Sequence, residues 1–263
     1  MKYIETDIFG RVVVPELFSE IFMLTAQHAG KRMNVYMWRG QGVIDWAIHS
    51  SAYRRIYRTN KRPIDERDMR YYEHILLKRA RHQGYGFEQG RVLSDFELLA
   101  KLQHHGAATR LVDFSRNLLV ALWFACRSDP EQTGLLFGIH TNTVEGLEGE
   151  TEDRGYEEIF DNSKEGSTER VKSWQPPVIT KRIAAQSAQF LYSEVCGHTM
   201  GSLAFDKSPE TFLAFAITPE MKKNILLLLQ GTFDIHQITM FPDIDGFSFA
   251  NSAHFEQYSN ERC

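Results

Sequence analysis

Polar and ionisable side chains crowd one short segment, Gln103-His104-His105-Gly106-Ala107-Ala108-Thr109-Arg110-Leu111-Val112-Asp113-Phe114-Ser115-Arg116-Asn117. A strand that only fills a core has no use for His, Arg, Asp and Ser at such density. Polar clusters between regular elements often carry function. Asp113 offers a negative charge or a general base, and His105 a base whose ordinary pKa lies near neutrality. The structural alternative pairs Asp113 with Arg110 and leaves Ser115 as a helix cap. A second constellation, Trp38-Arg39-Gly40-Gln41, follows an apolar strand. There Arg39 can present its planar fork to a phosphate or a ribose, and Gly40 admits a ligand close to the backbone. A third run, Lys181 to Phe190, reads as a strand carrying amides. A fourth, Met240 to Gly246, reads as a turn into the last helix, with Asp243 and Asp245 as helix-start acids.

Metal chemistry is poorly provided for. His104 and His105 are adjacent, so on a strand they point to opposite faces. There is no His-x-x-x-His or paired-carboxylate pattern, and Cys126, Cys196 and Cys263 lie far apart. A metal-dependent hydrolase built on His104, His105 and Asp113 therefore ranks last, and no metal is expected.

The elements that must position these residues follow from periodicity and caps. Pro15 opens a helix that stops at Gly30; Met33 to Trp38 is a strand. Residues 65–83 are helical, and Gly84, Gly86 and Gly90 mark a loop. Ser94 and Glu97 form a capping box for the next helix. Thr109 to Phe114 is a strand, and Ser115 caps a helix through Phe124. Leu135 to His140, Val178 to Ala185 and Phe212 to Ile217 are strands, and Thr218-Pro219-Glu220 starts a helix ending at Gly231. The acidic stretch 141–173 reads as a mobile insertion. Strands and helices mix without βαβ regularity, so the fold class is α+β in a single domain over 1–263.

The chain has 263 residues, 43% hydrophobic and 24% charged, which excludes a disordered, collagen-like or disulfide-scaffold protein. No apolar run, Ile225 to Leu229 included, approaches the length of a membrane span. No signal peptide is visible, and a cytoplasmic, reduced location is expected. Net charge is −4, but residues 31–91 hold 14 Lys/Arg against 6 Asp/Glu, while 143–169 hold 10 acidic and 2 basic residues. A charged helical arm over about 50–90 suggests an anionic ligand, although a solvated helix face is the plainer reading. Arg54, Arg55, Arg58, Lys61 and Arg62 are interleaved with Tyr53 and Tyr57. Cations that track phosphates beside rings that stack on bases suit single-stranded RNA or DNA.

Trp38-Arg39-Gly40-Gln41 resembles the aromatic-Arg-Gly motif of the FRG domain family. Gln103 to Ser115, followed by Ala121 to Ala125, is similar to that family's Gln-His-x-Gly-x-x-Thr-Arg-Leu-x-Asp-aromatic-Ser/Thr signature and the Ala-Leu-aromatic-Phe-Ala that succeeds it. Arg182, Ile183 and Gln186 match its Arg-Ile-x-x-Gln segment, and Phe241 to Gly246 its Phe-Pro-Asp-x-Asp-Gly. Two departures stand out: many members have Gly and Pro where Ala107 and Ala108 stand, and a Gly after Gln186 where this chain has Ser187 and Ala188. FRG domains are in turn remotely similar to ADP-ribosyltransferases and occur in bacterial phage-defence and toxin–antitoxin settings.

The resemblance implies an ADP-ribosyltransferase-like sheet core with flanking helices. It also implies NAD as co-substrate and transfer of ADP-ribose to an acceptor. Arg39, Asp113, Ser115 (or Thr109) and Gln186 would carry the reaction. Trp38, Arg39, Gly40, Gln41, His105, Thr109, Arg110 and Phe114 would surround NAD. Trp38 or Phe114 would stack on nicotinamide. Gln186 supplies no carboxylate for the cationic sugar, so Asp113 is the expected source of that charge. A nucleic-acid acceptor is preferred to a protein one, and an antitoxin or inhibitory protein is an expected partner. The rival class is a silent nucleotide- or nucleic-acid-binding module.

Overall fold

The run Gly134-Leu-Leu-Phe-Gly-Ile-His140 is buried at every position, which requires cover on both faces and a central place in a sheet. The computed structural model places it there. It describes residues 2–30, 35–88, 90–140, 144–147, 149–161, 170–206 and 211–253. In chain order these carry β1 (Lys2–Thr6), β2 (Gly10–Val14), α1 (Phe18–Gly30), β3 (Val35–Gln41), α2 (Ser51–Asn60), α3 (Glu66–His82), β4 (Phe87–Glu88), β5 (Arg91–Val92), α4 (Asp95–His104), β6 (Val112–Ser115) and α5 (Leu118–Arg127). There follow β7 (Gly134–His140), β8 (Glu145–Leu147), α6 (Tyr156–Ile159), β9 (Lys172–Trp174), α7 (Lys181–Ala185), β10 (Ala188–Tyr192), β11 (Phe212–Ile217), α8 (Pro219–Phe233), α9 (Gln237–Met240) and α10 (Ile244–Ala250).

Nine of these strands form one mixed sheet in the order β1-β2-β11-β7-β3-β6-β10-β9-β8, so the fold is α+β. The sheet is two halves. β3 pairs with β7 along nearly its whole length, from Val35 to Gln41, but meets β6 at the single pair Trp38↔Ser115. Beyond that pair the two strands do not ladder. Side chains alternate across the sheet. Met37, Val112, Phe114, Leu135, Phe137 and Leu191 fill a core on one face. On the other face two separate cores form. One joins α1, α5 and α8 to Trp38, Leu136 and Phe215; the other joins α3, α4 and α6 to Trp174, Phe190 and Tyr192.

Gly40 is explained by the first of these cores. A Cβ there would stand 1.8 Å from the carbonyl oxygen of Ala121, so the missing side chain lets α5 lie directly on β3. The close approach is made by a helix and not, as the sequence suggests, by a ligand. Buried Lys222 fastens the same corner, donating to the carbonyl oxygens of Gly42 (2.7 Å), Ser128 (3.0 Å) and Asp129 (2.9 Å).

Several sequence expectations need correction. The N-terminal hairpin was not foreseen, and α1 begins at Phe18 rather than at Pro15. The Arg-Gly-Gln motif lies within β3, not after it. β6 starts at Val112, leaving Thr109 to Leu111 in the loop. Ser115 ends that strand, and the cap of α5 is Asn117, whose Oδ1 accepts from the Leu119 amide at 2.9 Å. Residues 178–185 are not a strand: Thr180 caps the short helix α7. The acidic stretch contributes β8, α6 and β9, with Tyr156, Ile159, Phe160 and Trp174 buried. Its residues 141–143, 148 and 162–169 lie outside the described part.

Candidate functional site

The gap between the two cores on the α5 face is a cavity of about 320 Å³. Its floor is where β3 diverges from the paired strands β6 and β10; α4 and α5 form its sides, and α7 with the turn before α10 closes one end. Arg39, Gln103, His104, Asp113, Ser115, Arg182 and Gln186 line it together with Phe124, Phe190 and Phe241. Residues from four segments, as far apart as Arg39 and Phe241, therefore meet in one place.

Two polar chains organise the floor. Arg39 Nη1 donates to the Asp113 carbonyl oxygen at 2.8 Å across the gap between β3 and β6. The Asp113 carboxylate accepts from Gln103 Nε2 at 2.6 Å, and Gln103 in turn accepts from the Thr109 hydroxyl. Arg39 Nε is buried and has no hydrogen-bond partner among the described residues. Burial lowers the Arg39 pKa, against support from Asp113. Asp113 is raised above the ordinary carboxylate range because the surrounding protein desolvates it, despite Arg39, Gln103 and Arg54. It is nevertheless open to the cavity, where a cation would restore its solvation.

The second chain fixes the wall. Ser115 Oγ donates to the Gln186 carbonyl oxygen at 2.7 Å and accepts from the Asn117 amide at 2.9 Å. Gln186 Nε2 donates to the Met240 carbonyl oxygen at 2.9 Å. Ser187, at φ +47°, occupies the left-handed region in the turn between α7 and β10. At the closed end Arg182 holds Asp243 through two bonds, Nε at 2.5 Å and Nη2 at 2.7 Å, and donates to the His104 carbonyl oxygen at 3.1 Å. This pairing carries the Asp243 carboxyl down to about 2. His104 Nε2 lies 3.2 Å from the same carboxylate. Burial, followed by Arg182 and His105, lowers the His104 pKa, so its imidazole is neutral near pH 7.

Most of the remaining anticipated residues take other places. Arg110 is buried, its Nε 2.7 Å from Glu73 and its Nη1 3.0 Å from Glu66, with Tyr156 on Nη2. Its guanidinium is occupied and turned away from the cavity. Thr109 is also buried, bonded to Ser51 through its amide at 3.0 Å. Gln41 Nε2 is spent on the carbonyl oxygens of Trp46 and Val43 beyond the strand end. His105 is exposed beside Asp245 at 3.4 Å. Trp38, Gly40 and Phe114 do line the cavity, although Trp38 is packed under α5 and the Phe114 ring lies 6.3 Å from Phe137 in the opposite core. Phe124, Phe190 and Phe241 are further aromatic walls. Sequence reasoning missed these and Arg182 as site residues. The signal was present for Arg182 and Asp243: the two late motif segments are the two partners of one ion pair.

The cavity at the split of the sheet, with a polar floor and aromatic walls, is the candidate site. The FRG domain family model matches residues 34–134, from β3 through α5 to the start of β7. The matched segment supplies β3 and β6 of the floor and both side helices of the cavity. Arg182, Gln186 and Asp243 come from beyond the matched segment. No curated protein and no solved structure matches the chain. No helix among the described residues is long and apolar enough to cross a membrane, and these residues hold no cluster of His, Cys, Asp and Glu suited to a metal ion.

Proposed function

We propose that the protein is an NAD-dependent ADP-ribosyltransferase, a bacterial toxin or anti-phage effector, with a nucleic acid as its preferred acceptor. The observation that carries this reading is the meeting of Arg39, Asp113, Ser115 and Gln186 in one cavity. It supports a site for one half of a dinucleotide, because about 320 Å³ is near the lower end of small-molecule pockets, roughly 300–1,000 Å³. The other half would lie across the mouth.

In the reaction the bond between the ribose carbon and the nicotinamide nitrogen breaks, and nicotinamide leaves with the electron pair. An acceptor atom bonds to that carbon and gives up its proton. Arg39 would bind phosphate or ribose oxygens with its planar fork. The Asp113 carboxylate, oriented by Gln103, would stabilise the positive charge on the ribose as it builds. Phe124 and Phe241 would hold the nicotinamide ring. Ser115 and Gln186 act as positioning residues, since their mutual bond sets the wall. His104, neutral and held by Asp243, replaces His105 as the group to take the acceptor proton.

A non-catalytic nucleotide-binding module is the second reading. It is favoured by Gln186, whose amide is spent on Met240 and which brings no charge to the sugar. The two separate in one experiment: adenylate-labelled NAD incubated with the protein, RNA, single-stranded DNA and cell protein. Transfer that is lost in Arg39→Ala and in Arg39→Lys, with the melting temperature kept, supports the transferase. Retention of label by the protein without transfer supports the module. Full transfer by Arg39→Lys removes Arg39 from the mechanism.

A further inference from the structure

The basic arm does not act as one surface. Arg55 packs over the Tyr72 ring at 5.6 Å, and Arg62 is held by Asp68 at 2.7 Å. Arg54, Arg58 and Lys61 lie elsewhere. Arg54 Nη1 donates to the His49 carbonyl oxygen at 2.5 Å, and neither Arg58 nor Lys61 forms an ion pair among the described residues. Beside Arg54 and Arg58, three rings stand nearly parallel at helical spacing. His49 and Tyr53 are 4.4 Å apart at 8°, and Tyr53 and Tyr57 are 6.4 Å apart at 7°. Tyr57 is 50% exposed at the outer end. Tyr53 and Tyr57 form one i, i+4 stripe on α2, which the His49 ring extends from the turn before the helix, and Arg54 and Arg58 form the stripe next to it.

This double stripe starts beside the loop that leads into β6 and Asp113. The Ala52 amide donates to the Thr109 carbonyl oxygen at 3.0 Å, and Ser51 Oγ exchanges bonds with Thr109 at 3.0 and 3.2 Å. The first turn of α2 is thereby pinned to the segment that leads into Asp113. Burial lowers the pKa of Arg54, against support from Asp113 and with opposition from Arg58, so these charges sense one another in sequence.

We infer that the His49–Tyr53–Tyr57 stripe with Arg54 and Arg58 is a track for two or so unpaired nucleotides, leading a single-stranded acceptor to the cavity. Aromatic faces accept any base, and the adjoining guanidiniums match the phosphates between bases. A duplex would not fit this geometry, because its bases are not free to stack on the rings. That the strand is an acceptor rests on the transferase reading; that the track binds it does not.

The test is therefore made without NAD. Binding of short single-stranded RNA and DNA and of duplex is titrated at two salt concentrations on the whole chain. Expected is a preference for single strands and a loss of about 5- to 100-fold in Tyr57→Ala, with Tyr57→Phe close to wild type. Arg54→Ala with Arg58→Ala should make the salt slope shallower by about 1.4, two phosphate contacts at about 0.7 each. Arg55→Ala with Arg62→Ala should bind like wild type, as those cations are already engaged. Equal affinity across all variants, or greater loss in the Arg55/Arg62 pair, overturns the track. Labelling confined to protein in the transfer experiment, with strand binding intact, overturns only its role in delivering the acceptor. Absent transfer with the binding pattern intact overturns the transferase reading and leaves the track.

Discussion

Arg110→Ala separates a buried structural cation from a ligand-binding one. The guanidinium bonds Glu73, Glu66 and Tyr156, lies 3.7 Å over the Phe160 ring, and is buried with Glu73 between α3 and the β6 loop. Removing it leaves the Glu73 carboxylate, fully enclosed, with only the residue-110 amide and the Tyr156 hydroxyl. Breaking such a pair from one side costs about 3–5 kcal/mol. At about 2–4 °C per kcal/mol for a chain of this size, the melting temperature should fall by about 6–20 °C. Adding Glu73→Leu to Arg110→Met should destabilise less than the two single changes combined, because the orphaned charge is gone. Urea and thermal denaturation read both effects, and retention of labelled NAD is measured on the folded fraction. A variant that melts within about 2 °C of wild type yet no longer retains NAD would refute the structural assignment and return Arg110 to the site.

Gly40→Ala should destabilise by at least the upper end of about 1–3 kcal/mol, since Ala121 backbone cannot yield 1.8 Å of space; a near-normal urea midpoint would contradict the packing of α5 on β3. Ser187→Gly should stabilise by up to about 1 kcal/mol by relieving the left-handed conformation, and a loss of stability would refute that reading. The Asp243–Arg182 pair lowers the folded-state pKa of Asp243 to about 2, from about 3.9 in an unfolded chain. Its stabilisation is thus complete above about pH 4 and lost as pH falls toward 2, and Asp243→Asn should flatten the stability curve in that window. A wild-type-minus-variant difference unchanged across it would contradict the pairing.

Capping and periodicity made much of the scaffold legible. Ser94 and Thr218 each start the helix expected of them, the helix read over 65–83 is present, and the apolar runs at 135–140 and 212–217 are strands. Residues 178–185 misled because Thr180 at an N-cap and a β-branched Ile183 also suit a strand, and only tertiary packing decides. Arg39, Asp113 and Ser115 were readable as polar residues in the wrong company, Gln186 only through the family resemblance, and the fold brings all four to one cavity. Arg110 sat in the same dense motif but serves the core, because density alone does not tell which face a side chain takes. Phe124 and Phe241 were invisible as site residues: an aromatic at a helix or turn looks the same whether it fills a core or lines a cavity. Ser187 shows the converse, a departure from the family pattern that acquires meaning only with its φ angle.

ADP-ribosyl transfer yields two products, and both are counted at once. Nicotinamide released from NAD is quantified beside the mass of the recovered RNA, single-stranded DNA and protein, for wild type and Asp113→Asn. Nicotinamide released should equal the ADP-ribosyl groups found on single-stranded nucleic acid. Asp113→Asn should lose both by a large factor, with little change in NAD retention, as for a group that acts mainly in the transition state. Retained NAD with no nicotinamide released by wild type, or undiminished release by Asp113→Asn, would contradict this mechanism.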